Sequence, residues 1–172
     1  MRWLRLLCIL LLVLPGAEAR PRPRSVPAGW LITAADVLAR CPGSFVIRRG
    51  LEKKSAEQEF MGALSADYEY KVEGEVVVMS SCSKEISSLD AQICYSAANL
   101  SARFGLLDEK ERYVTKSIRA GEESRCLKIR DRYFWAFSFR QKRYWGYLII
   151  GGPPLEDQQV QSLVTKWVAR LK

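Results

Sequence analysis

Toward the C-terminus apolar residues fall at Val160, Leu163, Val164, Trp167, Val168 and Leu171, with polar residues between them. This is the i, i+3, i+4, i+7 spacing of a helix with one buried stripe, and it predicts an amphipathic helix from about residue 155. A second helical pattern covers residues 87–104, where Leu89, Ile93, Ala97, Leu100 and Phe104 share a stripe expected to face the core, with Gly105 as C-cap. A shorter helix follows Thr33, a good N-cap, with Ala34, Val37, Leu38 and Cys41 at helical spacing until Pro42-Gly43 stops it.

Between these helices the apolar runs are short and β-branched or aromatic. Residues 72–79 read as a strand, because Val76-Val77-Val78-Met79 is a run of the kind buried on both faces of a sheet. Residues 44–48 read as a short strand. Residues 51–70 are open to two readings: a helix over 55–64, with Phe60 and Leu64 four apart, or a strand beginning near Ala66. Strands at 113–119, 125–129, 133–139 and 144–150 follow in succession, joined by turn-type connectors, although the second and third could form one bent strand. Gly151-Gly152-Pro153-Pro154 ends the sheet.

The layer rules then predict an α+β domain. It has an antiparallel sheet of about five strands, an N-terminal helix, a mid-chain helix and the C-terminal helix, with helices on one face or both. The order of elements resembles that of PAS, profilin and longin domains, an analogy of topology that carries no function.

The N-terminus changes the picture of where this domain begins. Met1-Arg2-Trp3-Leu4-Arg5 is a basic flank, residues 6–14 are wholly apolar, Pro15-Gly16 breaks the run, and Ala17-Glu18-Ala19 places small residues at a cleavage site. A membrane span needs about 20 apolar residues, so 1–19 reads as a cleaved secretory signal and the chain as lacking a transmembrane segment. Residues 20–29, with Arg20, Arg22 and Arg24 alternating with Pro21 and Pro23, read as a basic, mobile tail, and 30–172 as a single domain. The expected location is extracellular, or periplasmic in a Gram-negative host.

The full chain has 172 residues, 27 Lys plus Arg, 19 Asp plus Glu, five cysteines and no histidine. Cleavage after Ala19 removes Arg2, Arg5, Glu18 and Cys8, which leaves 153 residues, 25 basic and 18 acidic side chains, a net charge of +7 and four cysteines. Without histidine there is no Ser-His-Asp or Cys-His machinery and no imidazole metal ligand. Cys41, Cys82, Cys94 and Cys126 are an even number in an oxidising compartment and contain no C-x-x-C pair, so two disulfides are expected. Of three possible pairings, Cys82 with Cys94 and Cys41 with Cys126 are preferred.

Two surfaces stand out as candidate sites for a partner. The first is the aromatic hairpin: Tyr133, Trp135, Phe137 and Phe139 alternate along one strand, and Tyr144, Trp145 and Tyr147 lie on its neighbour. Neither face is polar, so helices, a ligand or a partner must cover both. The second is the set of basic residues at its turns: Arg130, Arg132, Arg140, Lys142 and Arg143. A secreted protein of charge +7 is drawn to anionic partners, with nucleic acid disfavoured by compartment. Arg140-Gln141-Lys142-Arg143 also fits a convertase pattern, and Asn99-Leu100-Ser101 is a glycosylation sequon. Carboxylates such as Asp67, Glu73, Glu75, Asp90, Asp108 and Asp131 form no recognisable acid-base pair, and no catalytic, cofactor or metal residue is assigned.

The reading is therefore a secreted, non-catalytic binding protein. It recognises a protein or an anionic polysaccharide through Trp135, Trp145 and the basic loops. The alternatives are a small-ligand sensor or carrier with a pocket lined by Trp135, Phe137 and Tyr147, and a carboxylate-dependent hydrolase.

Overall fold

Nearly every strand of the sheet pairs with a neighbour in sequence, and one exception ties the two halves together. The structure, a computed structural model, describes residues 22–23, 27, 29–41, 50–58, 62–105, 113–129 and 133–171. The chain lays down β1 (Arg22–Pro23), α1 (Ala34–Leu38), β2 (Leu51–Gln58), β3 (Leu64–Val72) and β4 (Glu75–Lys84), then passes through α2 (Ser88–Gly105). It continues with β5 (Tyr113–Lys116), β6 (Glu123–Ile129), β7 (Phe134–Gln141) and β8 (Tyr144–Gly151), and ends in α3 (Asp157–Ala169). The sheet order is β1-β2-β3-β4-β8-β7-β6-β5. After α2 the second meander starts at the far edge and works inward until β8 pairs antiparallel with β4.

The α+β class holds, while the strand number does not. Seven strands of four or more residues and the two-residue β1 replace the expected five, and the analogy to PAS, profilin and longin order falls with that count. The extra strands come mainly from residues 51–72, where the described residues form no helix: Leu51–Gln58 pairs along its whole length with residues 64–71. β2 is rich in charge, and of its described side chains only Ala56 is buried, so pairing with β3 makes it a strand and no apolar pattern announces it. The expected strand at 72–79 instead contains a turn. Glu73 and Gly74 have φ of 54° and 85°, which is what a two-residue hairpin requires at both central positions. Residues 125–129 and 133–139 are separate paired strands. The expected strand at 44–48 lies outside the described residues, as does the signal segment. Within the tail, Arg22 and Pro23 pair with Gln58 and Glu57.

One face of the sheet carries the main core. Tyr68, Val78, Cys82, Trp135, Phe137, Phe139, Leu148 and Ile150 alternate inward from their strands and meet Val160, Leu163, Val164 and Trp167 of α3. The Trp167 ring packs edge-on against Phe139 at 4.8 Å, and its indole N–H donates to the Trp30 carbonyl at 2.7 Å. The segment before α1 is fastened to the same face. The Ala34 N–H donates to the Tyr68 hydroxyl at 2.9 Å, and the Thr33 hydroxyl and Asp36 carboxylate form a capping box over the first turn of α1. At Gly146 a Cβ would run into the Ser81 carbonyl oxygen, so only glycine permits β4 and β8 to approach there.

The other face is covered over β7 and β8 by α2. Ser87 caps this helix: its hydroxyl accepts the Asp90 N–H at 3.1 Å and donates to the Asp90 carboxylate at 2.7 Å. The described part of the expected inward stripe is reversed, while the side chains of Leu100 and Phe104 lie outside the described residues. Ala91 and Tyr95 are buried, whereas Leu89 and Ile93 are 66% and 57% exposed and Ala97 is exposed as well.

Candidate recognition surface

The structure separates the residues that the sequence grouped. Trp135, Phe137 and Phe139 are sealed between the sheet and α3, so Trp135 offers nothing to a partner. Tyr147 alternates to the opposite face, under α2 and beside Ser81 and Ser138. The pocket pictured between Trp135, Phe137 and Tyr147 would therefore have to pass through the sheet, and that version of a ligand site is withdrawn. Burial, with Asp67 and Glu69 close by, raises the Tyr147 hydroxyl above its ordinary pKa. Trp145 lies on the outer face, half-buried, and its indole N–H donates to the Glu85 carboxylate at 2.7 Å.

The basic residues divide in the same way. Arg140 is inside an ion-pair network: its guanidinium meets Glu122 at 2.6 Å and Glu123 at 2.8 Å, with only 12% of the side chain exposed. It ties the β7 end to β6. Lys142 and Arg143, by contrast, form the β7–β8 turn and are exposed, with Lys142 at φ 53°. Arg130 and Arg132 lie outside the described residues.

The turn does not stand alone. The Arg143 carbonyl accepts the Glu85 N–H at 2.8 Å, and its guanidinium donates to the Ile86 carbonyl at 3.2 Å. Glu85 in turn holds Trp145. The end of β4, the start of α2 and the turn are thus one joined corner. Ile86, 47% exposed, opens a row that continues through Leu89 and Ile93 on successive turns of α2. Three large aliphatic side chains on one exposed row, beside two exposed cations, are a patch of the kind that marks an interaction site. Leu89 and Ile93 were expected in the core from sequence, so the row was missed. The signal was there: from Ser88 to Ala98 the only charged residue is Asp90, so no charged face fixes which side of the helix turns outward.

Cys41, Cys82 and Cys126 carry free thiols. Cys82 points into the α3-side core and Cys94 belongs to α2 on the opposite face, so the sheet stands between the preferred partners. Cys126 also lies in the core, while Cys41, half-buried beyond α1, bonds the Val37 carbonyl at 3.4 Å. Burial raises the Cys82 thiol strongly and pushes Cys126 up to about 12. Asn99 is half-buried, its amide N–H donating to the Tyr95 carbonyl and its oxygen accepting from Ser138 at 3.0 Å. No helix among the described residues is long and apolar enough to cross a membrane.

Comparison with known proteins finds no matching family model, no matching curated protein and no matching solved structure. Function must accordingly be argued from the surface itself.

Proposed function

We propose that the chain is a secreted, non-catalytic binding protein that recognises an anionic macromolecular partner through the β7–β8 turn and the adjoining end of α2. The supporting observation is the joined corner: Lys142 and Arg143 are exposed and Arg143 is bonded to the Ile86 carbonyl, whereas Arg140 is already neutralised by Glu122 and Glu123. The expected charge of +7 for the mature chain adds long-range attraction to an anionic partner. The absence of histidine and of any recognisable acid-base pair favours binding over turnover.

The test is retention on a heparin matrix. The mature chain is expected to bind at low salt and elute as salt screens the contact. Changing Lys142 and Arg143 together to Ala should bring elution to clearly lower salt. Flow-through at low salt, or retention that ignores both salt and the double substitution, would remove the basis for the proposal.

A further inference from the structure

The corner has a second property that a polyanion alone does not use. Ile86, Leu89 and Ile93 form a continuous exposed aliphatic row that begins where Arg143 touches the chain. A sulfated glycan offers no apolar phase to receive them. A lipid bilayer offers both: acyl boundary for the aliphatic side chains and phosphate-bearing headgroups for the cations.

We infer that the partner is an anionic phospholipid surface, on which the chain docks peripherally with the α2 row in the headgroup boundary and Lys142 and Arg143 at the lipid phosphates. This rests on the reading of the corner as an anion-binding surface and names what is bound there. Charge favours it over a second copy of the chain, since two molecules of net +7 repel each other while both are drawn to negative lipid. Size favours it too, because three aliphatic side chains fall short of the roughly 800 Å² per partner that a stable protein interface buries. Nearby acids do not oppose the contact. Glu85 is buried against Trp145, Asp90 is tied to Ser87, and Glu122 is paired with Arg140. None of these contacts supplies a spanning segment, so the attachment is reversible and salt-dependent.

Flotation of the mature chain with vesicles tests this, using phosphatidylcholine alone and phosphatidylcholine mixed with phosphatidylserine. Binding is expected only to the mixed vesicles, and should weaken with salt. Leu89→Gln with Ile93→Gln, and separately Lys142→Gln with Arg143→Gln, should each lower partitioning by about tenfold or more. All four residues are surface positions, and circular dichroism checks that the fold is kept. Partitioning unchanged in the Leu89/Ile93 variant would overturn the inference. So would heparin retention without vesicle binding, an outcome that leaves the anion-binding corner intact. A dimer in sedimentation that the Leu89/Ile93 variant abolishes would assign the row to a second copy and overturn it as well. Binding to neither heparin nor vesicles would remove both readings.

Discussion

Ser80 offers a quantitative test of how the frame behind the recognition surface is held. Its hydroxyl accepts the Ile32 N–H at 3.1 Å and donates to the Ile32 carbonyl at 2.8 Å, across 48 positions of sequence. Ser80 is 0% exposed and Ile32 is 1% exposed, so water cannot replace either bond. A single hydroxyl thus serves as the missing strand partner for one residue of the N-terminal segment. Ser80→Ala leaves a backbone donor and a backbone acceptor buried without partners, each costing about 1–3 kcal/mol. A loss of about 2–4 kcal/mol is expected, since the small void left by the oxygen lets the segment relax. Urea unfolding followed by tryptophan fluorescence reads this directly. With a slope near 2 kcal/mol per M, the midpoint should fall by about 1–2 M at unchanged slope. A fall under about 0.3 M would mean that the segment is not pinned through Ser80, and the account of this contact would be wrong.

Two further outcomes follow from the buried groups. In the native chain iodoacetamide should alkylate Cys41 before Cys82 and Cys126, which should react only after denaturation, since burial holds both of these thiols protonated; rapid native labelling of Cys126, or no labelling of Cys82 and Cys126 in the unreduced denatured chain, would contradict the structure. Stability should fall above pH 9, because the unfolded chain releases the Cys126 proton near its ordinary 9.0 while the folded chain holds it to about 12. Cys126→Val should flatten that fall in thermal melts between pH 9 and pH 12, and an identical slope in the variant would refute the assignment.

The parts of the fold that were legible in the sequence are those where burial and periodicity agree. In α3 the stripe of Val160, Leu163, Val164, Trp167 and Val168 is buried throughout, because charged and amide residues occupy the remaining face and leave one way to pack. β7 was legible because Trp135, Phe137 and Phe139 alternate at period two, whereas its separation from β6 was not. β2 was not, since Lys53, Lys54 and Glu57 carry no inward pattern and the strand exists through pairing with β3. The Glu73-Gly74 turn was hidden by the valines after it, although a glycine at a hairpin position is a local signal. The reversal of α2 has a different cause. With Asp90 its only charge from Ser88 to Ala98, the helix has no charged face to fix its orientation, and tertiary fit places Ala91 and Tyr95 inward. The candidate surface was legible in its cations, Lys142 and Arg143, and illegible in its apolar half for the same reason.

Recognition at the corner made by the β7–β8 turn and the start of α2 is tested most directly by hydrogen exchange with mass spectrometry. Amide exchange of the mature chain would be compared with and without excess heparin at low salt. Slowed exchange is predicted at residues 141–145 and 85–89, with the β2–β3 hairpin unchanged. Protection confined to the lysines of β2 and β3, with residues 141–145 unaffected, would contradict it.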